Sequence, residues 1–521
     1  MRPASRAGGV GADRRATGSY YTPADAAHTM AHWVLRAPGE RVLEPSFGDG
    51  AFLAALRDVT AARRLSGVEI HGVELAATAH GAAGELAGRA YLADFLALQP
   101  FPVDAVIGNP PYVRLRHLAA PQRASALAAA TTVLRAPMDP SGSVWMPFAL
   151  HATRFLRPGG RLALVLPYEL THVRYARPLW EHLAKNFGSL RVCRIYQRLF
   201  PELLQDVVIL YADGFGAGTT EVALELYERV ADFGAGRPAH SASVAVDDVL
   251  AGRKPFMTAM LPGATRSVLA GLDAHTVPVA DVCSVAIGYV CGDKRFFHPP
   301  VDVAARYGLQ RLAPSLTSAR SLRGAGLRTS GVPAPDRLLR LSPSDTLTPG
   351  EAAYVREGEA GGVDRRYKCR IRSPWWAVPG VRTPDVIFSV FSAFPTLLVN
   401  DAGHVASNSL LCGYLRGWSA ERFALGWYTP LTVLETELKV HALGGGVLIL
   451  IPGEVNPIRL LRPGPDGDRA ALDNIDRCLR SGVPTDAYLV PSPATAPLTP
   501  ADRDALAAGA DTLRRWRVRH L

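Results

Sequence analysis

Cysteine is scarce in this chain. The six present, Cys193, Cys283, Cys291, Cys369, Cys412 and Cys478, are scattered through 521 residues, and none forms a Cys-x-x-Cys pair. A zinc site or a disulfide framework is therefore not expected, no metal centre is assigned, and a reducing cytoplasm fits. Long apolar runs are also missing: none approaches the roughly 18 residues that a bilayer-spanning helix needs. The stretch from Met1 to Arg15 is rich in Arg and Gly and has no apolar h-region, so no secretory signal is expected. Acidic residues fall short of basic ones, 47 against 57, which leaves a net charge of +10. That balance favours a polyanionic partner without separating nucleic acid from an anionic membrane. Hydrophobic residues at 48% and charged residues at 20% allow a sizeable core and exclude wholesale disorder. The 48 glycines and 41 prolines point to a loop-rich region rather than a helical bundle. At about 150 residues per domain, the length suits two large domains or about three smaller ones.

Residues 17 to about 230 alternate strand-like and helix-like segments. Arg41–Glu44, Val68–Leu75, Val103–Ile107 and Arg161–Leu166 read as strands, and Leu190–Ile195 with Val207–Tyr211 as a final strand pair. Helices are expected from Ala51, over Ala76–Ala87 and over Val144–Leu156, the last ended by Pro158-Gly159-Gly160. This alternation predicts an α/β fold, a doubly wound sheet covered on both faces. Residues 232–245 are rich in Gly, Ala and Ser and read as a linker or domain edge. Beyond them, residues 316–370 show little periodicity, and short β-like runs follow at 386–390, 396–399 and 447–451. No repeat of fixed period is present. The second half is expected to be a separate domain of mixed type.

Four constellations in the first half carry chemistry. Glu44-Pro45-Ser46-Phe47-Gly48-Asp49-Gly50 joins a strand to a helix, and its glycines let the backbone pass close to a ligand. No lysine follows, which excludes a Walker-type phosphate loop. Alone, such a turn can be no more than a tight connection. Glu74 ends the next strand, at the distance expected of an acid that binds ribose hydroxyls. Asp94-Phe95 follows a further strand-like segment; the acid can bind an adenine amine while the ring packs on the base. Singly, each acid could be a helix cap or a solvated charge. In order, at successive strand ends, they outline a nucleoside pocket. Finally, Asn109-Pro110-Pro111-Tyr112 follows an apolar strand. Two prolines stiffen the turn, and the Asn amide and backbone carbonyls offer acceptors for an exocyclic amino group beside a flat tyrosine face.

The Asn-Pro-Pro-Tyr turn with the preceding Glu-Pro-x-x-Gly-x-Gly loop resembles the S-adenosylmethionine-dependent DNA adenine-N6 methyltransferases. Thr17-Gly18-Ser19-Tyr20-Tyr21-Thr22-Pro23 looks like that family's motif X. Its place upstream of the Gly loop, with a long domain downstream, is similar to the gamma-class, TaqI-type arrangement of restriction-modification systems. Phe200-Pro201-Glu202 looks like motif VIII, although a Phe-Pro turn before a strand is often plain core packing. In the second half, residues 287–297, Arg372–Trp376, Asn408-Ser409 and Gly444-Gly445-Gly446 resemble stretches of the family's target-recognition domains. Phe47 and Asp49 vary in the family and receive no role.

The resemblance implies a Rossmann-like methyltransferase domain over residues 17–245, after a flexible N-terminus of residues 1–16. A C-terminal mixed α/β target-recognition domain would cover residues 255–521. It implies S-adenosyl-L-methionine as cofactor, with Tyr21 and Thr22 closing over its methionine part. Glu44 would lie near the methionine ammonium, and Pro45, Ser46, Gly48 and Gly50 would form the loop beneath it. Glu74 would meet the ribose, and Asp94 and Phe95 the adenine. Asn109 and Pro110 would accept the two amino hydrogens of a flipped adenine, walled by Tyr112 and Phe200. Double-stranded DNA is the expected partner, a separately encoded restriction endonuclease a further one, and a monomer in the cytoplasm the expected state.

The densest basic run, Arg365-Arg366-Tyr367-Lys368-Cys369-Arg370-Ile371-Arg372, precedes Trp375-Trp376. With Arg114 and Arg116, its Arg365, Arg366, Lys368, Arg370 and Arg372 are candidate phosphate contacts, and Trp375 a stacking residue. The plainer reading is a solvated basic loop beside two buried tryptophans. Pro384-Asp385 with Glu437-Leu438-Lys439 matches a nuclease pattern only superficially, and about sixteen residues before motif X leave no room for a nuclease domain there. Two rivals remain open: a methyltransferase acting on RNA or a protein glutamine, and a non-catalytic DNA-specificity subunit.

Overall fold

Val42 and Leu43, and Ala105, Val106 and Ile107, are wholly buried, which is why their segments read as continuous apolar runs instead of alternating ones. They form the middle of a nine-stranded sheet in the computed structural model, which describes residues 22–200, 206–333, 335–392, 394–441, 446–464, 468–482 and 484–519. The chain divides into two units, Met1–Met260 and Leu261–Leu521. In the first, the strands are β1 (Arg41–Glu44), β2 (Glu69–Glu74), β3 (Arg89–Leu92), β4 (Val103–Gly108), β5 (Leu156–Pro167), β6 (Phe187–Ile195), β7 (Val207–Phe215), β8 (Glu221–Tyr227) and β9 (His240–Ala245). Their order is 3-2-1-4-5-7-6-8-9. Strands β1 to β5 pair in parallel, and β7 runs antiparallel between β5 and β6. The fold is the expected α/β, doubly wound sheet.

Helix α1 (Ala24–Val34) and helix α2 (Ala51–Ala62) bury one stripe each. Met30 and Val34 meet Phe52, Leu56, Ile107 and Val165 in a single core cluster. Helix α3 (Ala77–Ala83) follows β2, and α4 (Ala120–Leu134) follows β4. Helix α5 (Trp145–Thr153) is buried along its whole length. From β1 the chain moves outward to β2 and β3, then crosses back to β4. The strand order reverses there, and in such sheets the crevice beyond the strand ends is where ligands bind.

Two sequence expectations for this unit fail. Pro158-Gly159-Gly160 does not end a helix, because α5 stops at Thr153 and β5 has begun by Leu156. The three residues form an irregularity inside the strand, where the register against β4 jumps from Val103–Leu156 to Ala105–Arg161 and Gly159 adopts φ +78°. Residues 232–245 are not a linker. Val230–Gly234 is a helical turn, and His240–Ala245 pairs antiparallel with β8 at the sheet edge. An edge strand with a solvated side tolerates the Ser and Ala residues that gave the stretch its linker-like composition.

The second unit holds a four-stranded antiparallel sheet, ordered Cys283–Ile287, Leu410–Leu415, Val386–Ser389, Leu397–Val399. Phe388, Phe423, Trp427 and Tyr428 fill its core. The Tyr428 hydroxyl donates to Leu397 O at 2.6 Å, and the Trp427 indole donates to Pro395 O at 2.7 Å. Within the stretch that shows no periodicity lies a helix, Pro349–Ala360, started by a Thr348–Glu351 capping box. Among the described residues, no helix is long and apolar enough to cross a membrane.

Candidate active site

A cavity of about 330 Å³ opens beyond the carboxyl ends of β1, β2 and β4, within the size range of small-molecule sites. The Glu44–Gly50 loop makes its floor. Gly48 and Gly50 adopt φ +53° and +83°, where a side chain would be strained. A Cβ on Gly50 would also stand 2.9 Å from Ala83 and Leu86, so this glycine lets α2 start hard against the α3 segment. Glu74 braces the loop: one carboxylate oxygen accepts from Gly48 N at 2.9 Å and the other from Ala76 N at 2.8 Å. It keeps its place on the cavity wall while holding the glycine turn open, a bracing role that strand-end reasoning missed.

Asp94 accepts from Leu96 N at 3.0 Å and caps the turn that carries Phe95. Phe95 is buried, lines the cavity and stacks with Phe155 at 5.3 Å, with His151 edge-on at 4.9 Å. Burial drives the His151 imidazole down to about 4. It is a neutral ring packed behind Phe95, bonded to Leu98 O at 3.1 Å.

Glu44 is 1% exposed, and its Oε2 has no hydrogen-bond partner among the described residues. Burial first, then the charges of Asp49 and Glu74, push its carboxyl well above the ordinary carboxylate range. A buried carboxylate in this condition lacks a cation. A raised native pKa means that the folded state binds more protons, so this contribution to stability is present below about pH 4.5 and is lost as pH rises through the native pKa. Glu44→Gln should therefore melt higher than wild type at pH 8 and at the same temperature near pH 4. Equal melting temperatures at both pH values in differential scanning calorimetry would show that Glu44 is not strained.

The second wall is the turn after β4. Gly108 passes so close to the loop that a Cβ there would meet Pro45 Cδ at 3.1 Å. The Ser46 hydroxyl donates to Asn109 O at 3.3 Å, tying loop to turn. Asn109 Nδ2 donates to Thr22 Oγ1 at 3.4 Å, and Asn109 Oδ1 accepts from the Tyr112 hydroxyl at 2.7 Å. Thr22, Glu44, Pro45, Ser46, Gly48, Glu74, Asp94, Phe95 and Asn109 all line the cavity. Pro110 is buried, and Tyr112 is half-buried against the same core cluster that holds Phe200. Phe200 is 8% exposed, so most of its surface is spent on core packing. Tyr21 with the rest of Thr17–Tyr21, Pro201, Glu202, Gly444 and Gly445 lie outside the described residues.

Arg114 is not a free cation. Its guanidinium pairs with Glu169 at 3.0 Å and lies over the Tyr175 ring, 5.8 Å from its centre. Glu169 also accepts from Trp145 at 3.2 Å and Tyr175 at 2.5 Å. Glu169 follows the end of β5, the kind of position that singled out Glu44 and Glu74, and the same rule could have found it. Arg116 is exposed and, among the described residues, bonded only to neighbouring His117 at 3.2 Å.

In the second unit, Arg365, Lys368 and Arg370 are exposed and make no ion pair among the described residues. Lys368 and Arg370 flank the Tyr367 ring at 5.4 and 5.7 Å, and that ring is 63% exposed. Arg366 and Arg372 are occupied within the unit. Arg366 pairs with Asp293 at 2.9 Å; Arg372 donates to Cys291 O and lies 5.2 Å from the Phe297 ring centre. Trp375 donates to Glu359 at 3.1 Å and packs on Phe296 at 5.1 Å. In the nuclease-like pattern, Glu437 pairs with Arg517 at 2.6 Å, Lys439 with Glu435, and Asp385 accepts from Leu415 N at 2.7 Å.

Residues 11–172 match the family model described as N-6 DNA methylase. Residues 253–490 match the model described as the C-terminal domain of the type II methyltransferase M.Eco57I. The type II methyltransferase M.AccI of Acinetobacter calcoaceticus is 19% identical over 427 residues, 76% of this chain and 75% of that one. Among solved structures, the type IIG restriction endonuclease BpuSI is similar over 96% of this chain, at 13% identity and a TM-score of 0.47. The DrdV-DNA complex is similar over 83% of it, at 12% identity and a TM-score of 0.47. The chain spans 66% and 55% of those two proteins respectively. The first half of the chain thus matches the N-6 DNA methylases and the second half the C-terminal domain of a type II methyltransferase, and together these matches support an N6-adenine DNA methyltransferase.

Proposed function

We propose that the protein moves a methyl group from S-adenosyl-L-methionine to the N6 amino group of an adenine swung out of double-stranded DNA, at specific sites and as a monomer. The observation that carries this reading is the meeting of the Glu44–Gly50 loop and the Asn109 turn on one cavity, tied by the Ser46–Asn109 hydrogen bond. The donor set fits the cofactor. Its ammonium would supply the cation that the unpartnered Glu44 Oε2 lacks; Glu74 and Asp94 line the cavity and would meet ribose and adenine, and Phe95 offers a flat apolar side. When bound, the cofactor supplies an electrophilic methyl group on a sulfonium centre.

The chain's own residues do the rest. Asn109 Oδ1 and the Pro110 carbonyl hold the two amino hydrogens and turn the nitrogen lone pair toward the cavity, so the rate gain comes from positioning and fixed dipoles. No covalent enzyme intermediate is needed. Tyr112 and Phe200 wall the extruded base, whose removal from the stack costs roughly a few kcal/mol. Residues 17–245 form the catalytic domain and residues 255–521 read the DNA, with Arg365, Lys368 and Arg370 on its phosphates. A separately encoded endonuclease fits this reading as a partner in the cell.

Labelled methyl transfer, offered in parallel to duplex DNA, RNA and protein, tests the proposal: label should enter the duplex alone, and label in RNA or protein instead would overturn it. The cofactor assignment has its own test. Glu74→Ala and Asp94→Ala should each weaken S-adenosylhomocysteine binding by roughly 1.5–3 kcal/mol, the value of a hydrogen bond to a charged group, and leave duplex affinity unchanged. Unaltered calorimetric affinity in both variants removes these residues from the pocket.

A further inference from the structure

Among the described residues, the Tyr112 hydroxyl has two acceptors within reach of its one proton, Asn109 Oδ1 at 2.7 Å and the Val165 carbonyl at 3.1 Å. One proton cannot serve both. The second acceptor is a product of the turn. The ladder between β4 and β5 ends at the pair Gly108–Leu164, and Pro110 and Pro111 bring no N–H with which to continue it. Val165 lies one residue past the last pair, and its carbonyl meets the phenol. Tyr112 is also held by burial with its phenol well above the ordinary range, so the hydroxyl remains a donor across working pH.

We propose that the Tyr112 hydroxyl is a positioning group for Asn109: in the empty site it donates to Oδ1 in place of the target amino hydrogen, and it passes to Val165 O when that hydrogen arrives. The incoming amino group then meets an oxygen that the phenol already holds in place. This role is separate from any stacking by the tyrosine ring. It rests on the reading that Asn109 accepts from the target amino group.

Tyr112→Phe keeps the ring and removes the hydroxyl. Under the proposal its single-turnover transfer rate falls about tenfold, while affinities for duplex DNA and S-adenosylhomocysteine stay within about twofold of wild type. In an Asn109→Asp background the same change should alter the residual rate by less than about twofold, because a carboxylate presents an acceptor whichever way it turns. Fluorotyrosines at position 112 preserve ring packing and vary donor strength, and the transfer rate should move with phenol acidity. A Tyr112→Phe rate equal to wild type, a rate loss matched by an equal loss of DNA affinity, or a flat fluorotyrosine series would each overturn the proposal. Wild-type protein that transfers no methyl to DNA would instead overturn the functional reading, and this inference with it.

Discussion

Asn109→Ala should lower the methyl-transfer rate on duplex DNA by about 10³-fold, the upper range for losing one preorganised group that acts on developing charge. Affinity for S-adenosylhomocysteine should stay within about tenfold, because the interaction is realised in the transition state more than in the ground state. Asn109 ties together three parts of the site: its carbonyl accepts from Ser46, its amide nitrogen donates to Thr22, and its amide oxygen accepts from Tyr112. Ala keeps the first of these and removes the other two. A variant that folds, binds cofactor and still turns over near the wild-type rate would show that the reacting nitrogen sits elsewhere.

The second large effect is expected on DNA affinity. Replacing Arg365, Lys368 and Arg370 together with Ala should weaken duplex binding by about 10²-fold near 0.1 M salt and reduce the slope of log affinity against log salt by about 2–3. These three side chains project free of ion pairs among the described residues, and two of them, Lys368 and Arg370, flank an exposed tyrosine. Arg366 and Arg372 are the controls. They stand in the same run but hold Asp293 and the Cys291 carbonyl, so their replacement should cost stability and leave the salt slope within about half a unit. Fluorescence anisotropy over a salt series separates the two groups. A slope unchanged in the triple variant would take this segment off the DNA.

The parallel sheet was legible because strands buried on both faces advertise themselves. Val42-Leu43 and Val103–Ile107 could hardly be anything else, and Glu44 and Glu74 fall where β1 and β2 run out, whereas Asp94 follows the more exposed edge strand β3. Partners were not legible. Glu74 was expected only as a ribose ligand, yet it holds Gly48 N, because strand-end position says where a carboxylate sits and nothing about which backbone donor bends toward it. Phe200 was read as a wall for the base, and its core packing beside Val207 and Tyr211 is a second role that a Phe-Pro turn does not advertise. Glu169 meets Trp145 and Arg114 from 24 and 55 positions away, and the Tyr112–Val165 contact spans 53, beyond the reach of any local pattern. The second unit was harder still. Its strands are two to six residues long, and the sheet strand Cys283–Ile287 pairs with Leu410–Leu415, far along the chain. Its clearest local signal, Thr348-Pro349-Gly350-Glu351 ahead of a helix, is a capping box and not a periodicity.

The claim at the centre of this account is that the cavity between the Glu44 loop and the Asn109 turn methylates adenine N6 in duplex DNA. Digesting a cognate duplex to nucleosides after reaction with isotopically labelled S-adenosylmethionine, and weighing the products by mass spectrometry, tests it most directly. Labelled N6-methyladenine is expected from the wild-type protein and about 10³-fold less from Asn109→Ala over the same reaction time. Label found as N4- or C5-methylcytosine, or N6-methyladenine that persists undiminished in Asn109→Ala, would contradict it.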